Sequence, residues 1–96
     1  MKSNKTADDW LTEGNTVFAD DKKAAITCYN KAIELNPKYA TAYNNKGVAL
    51  KALGDTKAAI TCYNKAIEIN PKYASAYHNK GNALYALGDT KSAIEF

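Results

Sequence analysis

Residues 23–40 read KAAITCYNKAIELNPKYA, and residues 57–74 read KAAITCYNKAIEINPKYA. The two stretches lie 34 residues apart and agree at 17 of 18 places, Leu35 against Ile69 being the exception. Self-similarity at a fixed period of this length marks an array of stacked units, none of which can bury its apolar face alone. The same offset pairs Tyr43 with Tyr77, Gly47 with Gly81, Gly54 with Gly88 and Ala59 with Ala93, so the period runs on through the chain. Upstream, Trp10 and Gly14 keep the spacing of Tyr43 and Gly47. Val17, however, precedes Ala25 by eight residues where Leu50 precedes Ala59 by nine, which predicts an inter-helix turn one residue shorter in the first unit.

Within a unit, Tyr43, Gly47, Leu50 and Leu53 fall at helical spacing, and so do Ala59, Ile60, Tyr63, Ala66 and Ile67. Each unit therefore reads as two amphipathic helices. Gly54 supplies a stop, Asp55 an N-cap, and Asn70-Pro71 closes the second helix; Asn36-Pro37 and Gly88-Asp89 repeat the punctuation. The pattern predicts helices near 8–19, 22–35, 40–53, 56–69 and 74–87, with no strand. It divides one domain, 1–96, into a first repeat at about 7–39, a second at 40–73 and a partial third at 74–96. Small residues at Gly47, Ala59 and Ala66 let helix backbones approach, and Tyr29 and Tyr63 read as core packing.

Composition narrows the function. Of 96 residues 24% are charged and 46% hydrophobic, ordinary values for a folded domain. No stretch nears the roughly 18 apolar residues that a membrane span requires, so the expectation is a cytoplasmic protein without membrane contact. The net charge is only +3, and all 13 basic residues are lysine. Bidentate base and phosphate recognition is largely arginine work. Lys23, Lys31, Lys38 and Lys46 recur at Lys57, Lys65, Lys72 and Lys80, spread over the repeats rather than gathered along one groove. Both facts argue against a nucleic-acid partner.

Tyr43, Gly47, Ala59, Tyr63, Ala66 and Pro71, with their spacing, resemble the tetratricopeptide repeat signature. The resemblance covers roughly Asp8 to the end. One departure is that Glu13, Lys46 and Lys80 stand immediately before the glycine, where the family usually has leucine. A lysine stem can lie over apolar surface while its ammonium reaches water, so looser packing is expected there without loss of the fold. The resemblance implies an all-α fold, a right-handed superhelical stack of antiparallel helical hairpins, with the first helix of each unit lining a concave wall.

The resemblance also implies a protein- or peptide-binding scaffold, with an extended peptide held in the concave groove. Carried over place by place, the inner wall comprises Asn15 and Phe18, then Asn44, Asn45, Val48 and Lys51, then His78, Asn79, Asn82 and Tyr85. The wall is rich in asparagine, whose amide offers two donors and an acceptor to a peptide backbone of any sequence. Asn45 and Asn79 are similar to the asparagine ladder in the repeats of O-linked N-acetylglucosamine transferase, and Thr12 breaks that ladder in the first repeat. Some three-repeat members grip the terminal carboxylate of chaperone tails with two asparagines and three cations. Asn15 and Asn45 match that clamp, but Leu11, Ser75 and Asn79 stand at its cationic places. A carboxylate without cationic partners gains little.

Catalysis has little to stand on. Cys28 and Cys62 are equivalent places on successive second helices, about 8 to 10 Å apart by helix packing, too far for a disulfide. They read as reduced, partly buried thiols. His78 falls on a first helix, so these residues form no metal site. The reading is a non-enzymatic scaffold without cofactor or metal. The alternative is a structural module that stacks into homo-oligomers through open repeat ends. The third repeat breaks off inside a helix, with Glu95-Phe96 where the second has Thr61-Cys62, and Glu-Phe is what a common cloning site encodes. A piece of a longer array is therefore expected, self-associating where Tyr77, Leu84 and Leu87 are covered only by Thr90 to Phe96.

Overall fold

Asp21 and Asp55 stand where second helices should begin. In the computed structural model, which describes residues 4–88, both carboxylates cap a helix: Ala24 N donates to Asp21 Oδ1 at 3.0 Å and Ala58 N to Asp55 Oδ1 at 3.2 Å. A side-chain oxygen there satisfies a donor that the first turn leaves without a partner. The helices are α1 (Ala7–Val17), α2 (Lys22–Leu35), α3 (Ala40–Ala52), α4 (Thr56–Ile69) and α5 (Ala74–Ala86), and no strand occurs among the described residues. α1 opens with a capping box that the sequence reading did not identify: Asp9 N donates to Thr6 Oγ1 and Thr6 N to Asp9 Oδ2.

The exits differ between hairpins. After α3, Gly54 takes φ +95°, its N–H bonds Lys51 O at 2.9 Å, and Asp55 N bonds Leu50 O at 2.9 Å. This is the paired closure that a left-handed residue permits at a helix end. The first hairpin has no glycine there. α1 stops at Val17, whose carbonyl accepts from both Asp20 N at 3.1 Å and Asp21 N at 2.8 Å. The expected short turn is therefore corrected. The segment 18–21 is one residue longer than 53–55, and the missing residue comes out of the helix. Without a residue suited to positive φ, the chain leaves α1 early and reverses more gradually. The second helices end alike: Asn36 Oδ1 accepts from Lys38 N and Asn70 Oδ1 from Lys72 N, each at 3.2 Å.

α1 packs on α2, α2 on α3, α3 on α4 and α4 on α5, with α3 also touching α5. The result is the right-handed stack of antiparallel hairpins, 52 × 27 × 16 Å. Its core is built from alanine and tyrosine. Ala25, Ala32, Ala59 and Ala66 are fully buried, and Tyr29 and Tyr63 are each 1% exposed. Each tyrosine ring lies against a glycine of the preceding helix. A Cβ at Gly14 would stand 2.5 Å from Tyr29 Cε1, and one at Gly47 would stand 2.5 Å from Tyr63 Cε1. Only glycine leaves room for the ring, whose burial contributes on the order of 2–3 kcal/mol. Glu13 and Lys46 are half-buried at the leucine places. Glu13 pairs with Lys5 and accepts from Cys28 Sγ at 3.6 Å, so the acid is partnered there.

No helix among the described residues is long and apolar enough to cross a membrane. Tyr77 and Leu84 are half-buried on α5, while Leu87 is exposed. Asp89 to Phe96, on which the half-built hairpin and its self-association rest, lie outside the described residues.

Candidate functional site

Two hollows lie among α1, α3 and α5, the helices expected to form the inner wall. The first, about 310 Å³, is lined by Asn15 of α1, Phe18 just beyond it, Tyr29 of α2, and Asn45 and Val48 of α3. The second, about 360 Å³, is lined by Phe18, Val48, Lys51, Ala52, Tyr63, Asn79 and Asn82. Phe18 and Val48 belong to both, so the hollows form one trough crossing three first helices. Tyr29 and Tyr63 come from second helices. Their rings fill the core while their edges reach through to the trough floor.

Seven of the ten expected wall residues line this trough, namely Asn15, Phe18, Asn45, Val48, Lys51, Asn79 and Asn82. Asn44 lies beneath the wall at 5% exposure, and His78 and Tyr85 lie outside the hollows, both exposed. Asn82 Nδ2 and His78 Nε2 stand 3.2 Å apart. Tyr29 and Tyr63, which the helical spacing marks as core packing, line the hollows as well. A buried tyrosine where phenylalanine would fill the same volume is the signal that could have placed them at the site as well.

The amides form a directed relay. Asn79 Nδ2 donates to Asn44 Oδ1 at 3.0 Å, Asn44 Nδ2 to Asn45 Oδ1 at 3.5 Å, and Asn45 Nδ2 to Asn15 Oδ1 at 3.0 Å. Tyr29 Oη also donates to Asn15 Oδ1, at 2.7 Å. Three amide oxygens are thus occupied within the protein, and Asn45 and Asn79, which line the trough, each keep one amide hydrogen beyond the one they donate. A wall built this way offers donors and selects acceptors. Where the ladder lacks its first asparagine at Thr12, Asn45 reaches Asn15 instead.

Charge adds to this bias. Among the described residues lining the hollows, Lys51 is the one cation and there is no carboxylate. Burial pushes the Tyr63 hydroxyl up to about 12, with the neighbouring Cys62 adding to the effect, and burial likewise raises that of Tyr29. Both phenols stay protonated donors at neutral pH. Cys28 and Cys62 are buried free thiols on α2 and α4. Burial first, then the Glu13 contact, raises the Cys28 thiol, the opposite of what an activated nucleophile requires. No group of three or more histidine, cysteine, aspartate or glutamate side chains able to hold a metal occurs among the described residues.

A family profile described as TPR repeat matches residues 22–54 and 49–88. The chain belongs to the TPR family. The same fold is seen in MamA, which is 33% identical with a TM-score of 0.91, over 97% of this chain and 55% of MamA. It is also seen in a complex of the TPR2B domain of yeast Sti1 with pHsp70, 34% identical with a TM-score of 0.90, over 93% of this chain and 72% of that one. The first TPR of Spaghetti (RPAP3), bound to the HSP90 peptide SRMEEVD, is 26% identical with a TM-score of 0.91, over 97% and 75% of the two chains. An uncharacterized protein of Methanocaldococcus jannaschii is 53% identical over 34 residues, 35% of this chain and 40% of that protein. The chain thus spans little more than half of MamA. The Spaghetti (RPAP3) domain holds a peptide in that structure, and the Sti1 domain is in complex with pHsp70.

Proposed function

We propose that this TPR module is a non-enzymatic peptide-binding scaffold that holds an extended peptide along the trough between α1, α3 and α5. The observation that carries the reading is the amide relay, in which Asn15, Asn44 and Asn45 each spend a side-chain oxygen within the protein and Asn15, Asn45 and Asn79 line the hollows, each with an amide hydrogen beyond those the relay uses. An extended peptide presents carbonyl acceptors at regular intervals and meets such a wall without needing a particular sequence. The peptide complexes of similar TPR chains support the reading. A chaperone-tail clamp is not proposed, since Leu11, Ser75 and Asn79 replace its cations. We place the module in the cytoplasm, where its two thiols would stay reduced. Its units are taken as 7–39, 40–73 and a partial 74–96.

The test is replacement of Asn45 and Asn79 by alanine. The helical signal in circular dichroism should persist, while binding to the best peptide from an array weakens by roughly 0.5–1.5 kcal/mol per hydrogen bond lost. Unchanged affinity would exclude the amide wall as the peptide site. A second reading, stacking into homo-oligomers through the repeat ends, is favoured by Tyr85 at 65% and Leu87 at 46% exposure. Sedimentation equilibrium at hundreds of micromolar distinguishes it: self-association that persists beside bound peptide supports the reading, and a strict monomer removes it.

A further inference from the structure

The two hollows are the same architectural place one repeat apart. Asn15, Phe18, Tyr29, Asn45 and Val48 of the first correspond to Val48, Lys51, Tyr63, Asn79 and Asn82 of the second. Two of these exchanges change the chemistry. Where Asn15 accepts from the Tyr29 hydroxyl at 2.7 Å, the second hollow has Val48, which cannot accept. The Tyr63 side chain is 1% exposed, and its hydroxyl has no hydrogen-bond partner among the described residues. No fully occluded side-chain oxygen or nitrogen lacks a partner among those residues, so this hydroxyl opens into the hollow that Tyr63 lines. The second exchange puts a cation, Lys51, where the first hollow has Phe18.

Beside the apolar Phe18, Val48 and Ala52, the second hollow is lined by a phenol, an ammonium and the amides of Asn79 and Asn82, whose nitrogens also meet Asn44 Oδ1 and His78 Nε2. An apolar group entering there would seal the phenol away from water without a partner, which is costly. A cation would meet Lys51. A peptide carbonyl would satisfy the phenol but leave the ammonium unmatched. A carboxylate answers all of them, because its two oxygens accept several hydrogen bonds and its charge opposes that of Lys51. We propose that the second hollow is a side-chain carboxylate subsite, in which an aspartate or glutamate of the bound peptide accepts from Tyr63 Oη and pairs with Lys51. This rests on the groove reading above and adds a selectivity that a backbone-only wall lacks. The first hollow, closed by the Asn15–Tyr29 bond and walled by Phe18, shows no such preference.

The experiment uses positional pools of N-acetylated, C-terminally amidated octapeptides, each pool fixed at one place as Glu, Gln, Lys or Leu. The blocked terminus removes the chain-end carboxylate, so only side-chain acids are read. The expected result is a Glu pool that binds about tenfold more tightly than its Gln counterpart, about 1.4 kcal/mol. Tyr63→Phe and Lys51→Met should each erase most of that preference, weakening the Glu pool several-fold more than the Gln pool. Val48→Asn gives Tyr63 an internal partner and should lower the preference with the hydroxyl still present. Thermal denaturation of each variant separates lost binding from lost fold. Pools that bind, weaken on Asn45 and Asn79 substitution, and show no acidic preference overturn the subsite and leave the groove standing. An acidic preference untouched by Tyr63→Phe also overturns it. Pools that fail to bind at millimolar peptide overturn the groove reading and the subsite together.

Discussion

The two hollows share a floor and differ in how it is finished. In the first, the buried tyrosine spends its hydroxyl on an amide of its own hairpin, and phenylalanine fills the mouth. In the second, Val48 takes the place of that amide, the hydroxyl of Tyr63 is unspent, and Lys51 takes the place of the phenylalanine. A near-perfect sequence repeat can therefore hold two chemically unlike sites. The second helices are nearly identical, but the places on the first helices that meet their tyrosines are not. Identity resides in the framework and difference in what the framework presents, as expected when a fold hosts function without dictating it.

Four predictions test that comparison, in order of decreasing effect. Gly14→Ala and Gly47→Ala should be alike, because each new Cβ would stand 2.5 Å from a tyrosine ring carbon. Overpacking of this kind costs roughly 1–3 kcal/mol, to be read as the shift of a urea midpoint. If only one of the pair destabilises, the floors are not equivalent. Asn15→Val copies the second hollow into the first and leaves the Tyr29 hydroxyl and the Asn45 amide without their acceptor. The cost is that of the hydrogen bonds lost, about 0.5–1.5 kcal/mol each, while Val48→Ala at the corresponding place should show only the loss of its apolar contacts.

Tyr29→Phe and Tyr63→Phe give the finest contrast in stability. The first removes a hydrogen bond and should lose about 1 kcal/mol, whereas the second removes none and should stay within roughly 0.5 kcal/mol of the parent. Equal losses would contradict the account of the unspent hydroxyl. The smallest effect lies in alkali. The Tyr63 phenol titrates at about 12 in the folded chain, against about 10 for an ordinary tyrosine. The folded state holds that proton longer than the unfolded one. Its share of stability is therefore complete below pH ~10 and lost as pH rises toward ~12. Tyr63→Phe should flatten the alkaline unfolding slope over that interval, and a slope left unchanged would place the phenol in an ordinary aqueous setting.

The framework was legible in the sequence for local reasons. α2 and α4 begin and end at the predicted residues because Asp21, Asp55, Asn36 and Asn70 carry their own capping chemistry. The end of α1 was not legible. The spacing showed that one residue was missing, but whether helix or loop gives it up depends on the absence of a residue suited to positive φ, as at Gly54. For the site, helical spacing and resemblance named the wall but not its depth. Asn44 and Asn45 are adjacent and chemically identical, yet only Asn44 is buried, since it turns toward α5, where Asn79 bonds it. The unpaired phenol was hidden for a different reason. It arises from a pairing between α3 and α4 that becomes visible only when the hollows are superposed repeat on repeat.

The most direct test of the central claim follows the asparagine side-chain amide resonances by NMR while the tightest blocked octapeptide pool is added. The account predicts shifts at Asn15, Asn45, Asn79 and Asn82, which line the trough. Asn64, which lines a separate hollow with Tyr43, Cys62 and Lys65, should stay still. Shifts confined to Asn64 with the trough amides unmoved would contradict it.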